Sequence, residues 1–120
     1  QSHEILSLMR KDSLEMEDAD RAAIRAAIAD RPEARVVVTH GTDTMTDTAR
    51  CLVSLSERTI VLTGSLAPAR FARTDAVFNV GMAFAAVQSL PGGVYIVMNG
   101  QVFEAGRVRK DREQNAFVRC

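Results

Sequence analysis

Apolar residues follow two rhythms along this chain, and the rhythms alternate. Val36-Val37-Val38, Ile60-Val61-Leu62 and Val94–Met98 are continuous apolar runs with no polar alternation. Runs of this kind suit strands buried on both faces, as in parallel sheets. Strands are therefore predicted over Arg35–Thr39, Thr59–Thr63 and Val94–Met98. Between them, apolar positions recur at helical spacing. Glu17–Ala29 reads as a helix with Ala23, Ile24, Ala27 and Ile28 on its stripe. Glu15, Glu17, Asp18 and Asp20 crowd its start, where the helix dipole favours negative charge, and Pro32 stops it. A second helix is predicted from the turn His40–Thr44 to about Ser54, with Met45, Ala49, Leu52 and Val53 on one face. A third covers Asp75–Leu90, with Asp75 as its N-cap and Val77, Val80, Phe84 and Val87 at helical spacing. Asn99-Gly100 is a tight-turn dipeptide, and Gln101–Phe103 is its returning arm. Arg107–Lys110 is a candidate further extended piece, and Ile5–Leu8 a candidate strand near the start.

Strands alternating with helices define the class: α/β, with a mainly parallel open sheet and helices on both faces. The 120 residues make one domain. In open sheets of this kind, ligands sit beyond the carboxyl ends of the strands. That rule selects three segments: His40–Thr44, Gly64–Thr74, and the residues after Met98.

Composition narrows the classes. There are 15 basic and 15 acidic side chains, so the formal net charge is zero. With 47% apolar and 25% charged residues the balance is globular and argues against disorder. Neither sign dominates and no basic tract stands out, so no nucleic-acid or membrane partner is expected. No apolar run is long enough to span a bilayer. Two cysteines, Cys51 and Cys120, make no disulfide framework; Cys51 reads as a buried thiol, and a reducing, cytoplasmic compartment is expected. The sequence holds no GxGxxG, P-loop, HExxH or CxxC pattern, and its two histidines and two cysteines lack ligand spacing. No metal or other cofactor is expected.

Thr39-His40-Gly41-Thr42-Asp43-Thr44 is the richest stretch for chemistry. It offers hydroxyls, a carboxylate, an imidazole, and a glycine (Gly41) that permits close backbone approach. It also precedes a helix, whose free N–H groups favour an anion. Capping is the bland alternative, since Thr42, Asp43 and Thr44 are all capping residue types. A hydroxyl beside a carboxylate needs a base before it does covalent chemistry. Lys110 is the candidate, because the turn at Asn99-Gly100 can return the chain to the same rim; the alternative is a solvated surface lysine. His40 is a second candidate base, or else a hydrogen-bonded structural residue. Ser13 reads as a loop hydroxyl or cap, and Thr63-Gly64-Ser65 as a turn whose N–H groups can face a ligand. Asn79 is a polar residue on its helix.

These residues resemble a known family. Val36–Ala49, VVVTHGTDTMTDTA, is similar to the second signature of bacterial-type L-asparaginases. Lys11–Met16 resembles the family's substrate-serine loop, Ile60–Leu66 the strand and loop that follow the signature, and Thr74–Asn79 its Ser-Asp-x-x-x-Asn segment. Val94–Asn99 resembles the strand before the hairpin, and Gly106–Lys110 the catalytic-lysine segment. The resemblance implies that Thr42 is a catalytic hydroxyl, Asp43 the carboxylate that holds a substrate α-ammonium, and Lys110 the base that activates Thr42. Ser13 would bind the substrate α-carboxylate, with Gly41 and Ser65 beside it. The implied reaction converts L-asparagine to L-aspartate and ammonia through a threonine-based acyl-enzyme, in a homo-oligomer. The family's first signature, a Thr-Gly-Gly-Thr-Ile loop with the primary nucleophile, has no counterpart in these residues, nor has its smaller C-terminal domain. The expectation is a short, single-domain form truncated at its N-terminus. Asp111 and Arg112 stand where commoner members carry threonine and asparagine, and Leu66-Ala67 where they carry methionine and arginine. A non-catalytic aspartate- or asparagine-binding module, an inactive remnant, and a glutaminase or amidotransferase-subunit relative remain open.

Overall fold

The computed structural model describes residues 15–66 and 72–120. The candidate strand Ile5–Leu8 and the candidate ligand Ser13 lie outside the described residues. The elements in chain order are α1 (Asp18–Ala29), β1 (Arg35–Thr39), α2 (Met45–Cys51), a 3-10 turn (Val53–Leu55), β2 (Thr59–Thr63), α3 (Ala72–Ser89), β3 (Gly93–Met98), β4 (Gln101–Glu104), β5 (Val108–Asp111) and β6 (Ala116–Arg119). A four-stranded sheet has the order β1-β2-β3-β4. β1, β2 and β3 run parallel, with Val37 opposite Val61 and Val61 opposite Tyr95. β4 returns antiparallel to β3 through Asn99-Gly100, both at positive φ (48° and 82°). β5 and β6 form a separate antiparallel hairpin.

The continuous apolar runs divide between two layers because successive strand residues point to opposite faces. Ile60, Leu62, Ile96 and Met98 face α1 and α2, meeting Ile24, Ile28, Met45, Ala49 and Leu52. Val61, Tyr95 and Val97 face the other side and pack with Ala83 and Val87 of α3. Helices thus cover both faces, as the alternation of elements predicts.

Several expectations at the element ends are corrected. The second helix stops at Cys51 and tightens into the 3-10 turn, which leaves Val53 exposed rather than on the buried face. α3 begins three residues before Asp75, so Asp75 lies in its first turn and is not its N-cap. Its carboxylate instead accepts the Leu66 backbone N–H at 2.6 Å. The predicted face of α3 is also wrong in part. Val87 is buried, but Val77 and Phe84 are exposed, and Asn79 and Ala83 take the inner positions. On α1, Ile24 and Ile28 are buried while Ala23 is exposed. The β6 strand that completes the last hairpin carries no signal strong enough to be predicted.

Candidate active site

The site forms at the carboxyl rim of the parallel strands. β1 ends at Thr39 and delivers the loop His40–Thr44, which the sheet holds through the His40 N–H donating to the Thr63 carbonyl at 2.9 Å. β2 ends at Thr63 and delivers Gly64–Leu66. Gly64 is required there, because a Cβ would run into the His40 carbonyl oxygen. β4 carries the chain back beside β3, and the separate β5–β6 hairpin that follows brings Lys110 to the rim, onto Thr42 and Asp43.

Lys110 Nζ donates to Thr42 Oγ1 at 2.8 Å and to Asp43 Oδ1 at 2.7 Å. These contacts join residues 68 and 67 positions apart in sequence. Thr42 is buried, and the Lys110 side chain is only 10% exposed while that of Asp43 is 29% exposed. Arg112 stands further out, with Nε 3.8 Å from the same Asp43 oxygen. The hydrogen bond from Lys110 holds the Asp43 carboxyl below its ordinary value of 3.8; partial burial opposes the shift, and the charges of Lys110 and Arg112 add to it. Thr44 occupies the N-cap position of α2 without a side-chain cap hydrogen bond. The oxygens of Thr42 and Asp43 turn to Lys110 instead.

His40 is tied up by its surroundings. Its Nδ1 lies 2.6 Å from the Gly41 carbonyl and its Nε2 2.8 Å from Thr48 Oγ1. A carbonyl only accepts, so Nδ1 carries a proton, and the neutral ring takes the Thr48 hydroxyl proton at Nε2. Burial pushes its pKa below 6.5, against the Gly41 hydrogen bond and with help from the Arg21 charge. His40 braces the loop, and the buried Thr48 that holds it has no distinguishing signal in the sequence. Ser65 sits half-buried in the loop after β2, and Gly41 is exposed between His40 and Thr42. Among the described residues no cluster of three or more His, Cys, Asp or Glu could hold a metal. No helix among them is long and apolar enough to cross a membrane.

Three side chains outside the Lys110–Thr42–Asp43 cluster fix the loop after β2. Asn79, fully buried, donates to the Gly64 carbonyl at 2.7 Å and accepts the Asn99 N–H at 2.9 Å. Asp75 takes the Leu66 N–H, and Asn115 Nδ2 donates to the Leu66 carbonyl at 3.0 Å. Asn79 and Asp75 belong to the Thr74–Asn79 segment that the family resemblance picks out; Asn115 has no sequence signal.

The mostly parallel sheet, with an amine, a hydroxyl and a carboxylate converging at its carboxyl rim, places the chain in the α/β class. Comparison with known proteins specifies it further. Residues 2–118 match the family described as asparaginase, N-terminal, and the chain belongs to that family of amidohydrolases. It is 40% identical over 90 residues to the glutaminase-asparaginase of Acinetobacter glutaminasificans, covering 69% of this chain and 27% of that protein. It is 39% identical over 72 residues to the glutaminase-asparaginase of Pseudomonas aeruginosa, covering 56% of this chain and 20% of that protein. It is also 39% identical over 69 residues to a glutamyl-tRNA(Gln) amidotransferase subunit of Methanococcus vannielii, covering 56% of this chain and 16% of that protein. The matched stretches thus span about a quarter or less of these relatives' lengths (27%, 20% and 16%).

Proposed function

We propose that this domain carries the lysine–threonine–aspartate part of an amidohydrolase site that converts L-asparagine to L-aspartate and ammonia through a threonine-based acyl-enzyme. The observation that carries the reading is the single amine of Lys110 bonded to both Thr42 Oγ1 and Asp43 Oδ1. Lys110, as the base, takes the Thr42 hydroxyl proton along the same 2.8 Å contact. A threonine oxygen attacks the side-chain amide carbonyl, the amine leaves as ammonia with a proton returned by Lys110, and water resolves the ester. Asp43 serves twice: it orients Lys110, and its partly exposed carboxylate faces the substrate α-ammonium. Ser13 is assigned to the α-carboxylate on the resemblance alone. The resemblance assigns the primary attack to the family's first-signature threonine, beside which the Lys110–Thr42 pair acts.

Ammonia release from L-asparagine, with Lys110→Met beside the wild type, tests the assignment. The variant keeps the aliphatic stem and loses the amine. Turnover should fall by about 10²–10⁴ with KM little changed, the usual worth of a positioned base. Unchanged turnover would show that Lys110 is not the base. The second reading is glutamine amide hydrolysis, which is favoured by two relatives that carry glutaminase in their names. L-glutamine in the same assay separates it: a higher kcat/KM for glutamine would replace asparagine as the substrate.

A further inference from the structure

We infer that Asn115 is a positioning residue that latches the Lys110 hairpin to the loop after β2 and so sets the lysine amine over Thr42; the inference rests on the proposed role of Lys110. β5 and β6 form a sheet of two strands that no strand of the main sheet joins. Such a hairpin is marginal by itself and needs outside contacts to hold its place. At its root it has them. Val108 is buried in the core, Arg119 opposite it donates to the Val102 carbonyl at 3.1 Å, and its guanidinium lies 5.0 Å from the Phe103 ring centroid. Lys110 sits towards the other end, opposite the buried Phe117 and one residue before the last pair of the ladder.

At that end the tip is organised in two steps. Asp111 Oδ1 accepts the N–H groups of Glu113 and Gln114 at 3.1 and 3.2 Å, which closes the turn. Asn115 then takes a left-handed conformation, φ 51°, a region that asparagine tolerates better than most residues. From there its amide donates 3.0 Å to the Leu66 carbonyl. Leu66 is itself held through its N–H by Asp75, so the latch closes on a fixed point. With the root fixed by packing and the tip by Asn115, the strand between them cannot tilt away from Thr42 and Asp43.

The test uses a feature of the composition: the chain has two lysines, Lys11 and Lys110. Trinitrobenzenesulfonate labelling with peptide mapping therefore reads Lys110 alone. Asn115→Asp keeps the shape and the backbone tolerance but cannot donate to a carbonyl. Asn115→Gly keeps the backbone freedom and removes the side chain. Both should speed Lys110 labelling at least about fivefold under native conditions by local opening, without a matching loss of global stability. Both should lower kcat for ammonia release by about 10–100-fold with KM nearly constant, as expected for a displaced catalytic group. The latch is refuted if Lys110 labelling and kcat stay at wild-type values in both variants, or if labelling rises only in proportion to global unfolding. Wild-type protein that releases no ammonia would refute the proposed reaction, while the labelling rates would still decide the latch.

Discussion

Asp43 is the residue on which the site's electrostatics turn. It faces two cations, and the nearer one also donates a hydrogen bond to it. A carboxyl lowered in the folded state contributes stability that is fully present above its unfolded value, near 3.8, and is lost as pH falls through the lower folded value. The Asp43 carboxyl, followed by carbon-detected NMR, should titrate with a midpoint below 3.8. Lys110→Met should bring that midpoint back up, because it removes both the hydrogen bond and the nearer charge; a midpoint unmoved by the substitution would mean that Lys110 does not set it. The return of the hairpin made the pairing a candidate, and the resemblance singled it out. Residue chemistry placed Thr42 and Asp43 beside each other and left Lys110 as either a base or a surface lysine. No local pattern encodes a contact between positions 68 apart. Arg112, by contrast, reads in the sequence as a departure from the family pattern, and it stands beside the Asp43 carboxylate.

At the scale of elements, α3 joins the core to the site. Its residues from Ala76 to Val87 include no charged side chain, so more than one apolar stripe has helical spacing. Periodicity therefore selects Val77 and Phe84, which are exposed, over Ala83, which is buried. What fixes the rotation of α3 is Asn79, whose amide must reach the Gly64 carbonyl and the Asn99 N–H at once. Asn79→Ala would leave both groups without that partner, at a cost of about 1–3 kcal/mol each. Denaturant unfolding should show a loss of about 2–6 kcal/mol for the two groups together, with an unchanged slope; a loss below about 1 kcal/mol would deny Asn79 its bracing role. The buried strands were the easiest elements to read. Arg35–Thr39 and Thr59–Thr63 end where the apolar runs predict, because a run buried on both faces has few other solutions. The helix ends and β6 were harder, since short amphipathic pieces are decided by contacts that come from far along the chain.

For the whole molecule, the open side of the sheet governs how the chain meets its surroundings. β1 is an edge strand, and among the described residues no further strand joins its outer side. Val36, Val37 and Val38 are half-buried, whereas every residue of β2 is buried. α3 adds exposed apolar side chains, Val77 at 68% and Phe78 at 55%. An apolar edge of this kind invites pairing with another chain unless something covers it. We therefore expect these 120 residues, prepared as they stand, to self-associate. Sedimentation equilibrium should give a mass above 13.1 kDa that falls toward that value on dilution. Phe78→Lys should weaken association by at least about tenfold if the α3 face takes part, since a fully buried phenylalanine contributes roughly 1.5–3 kcal/mol and about 1.4 kcal/mol is a factor of ten. It should leave the Lys110–Thr42–Asp43 contacts in place, because Phe78 points away from the layer that holds Asn79. A single 13.1 kDa species at every concentration, unfolding cooperatively with ordinary stability, would show that the edge is already protected within the chain and that association is not needed.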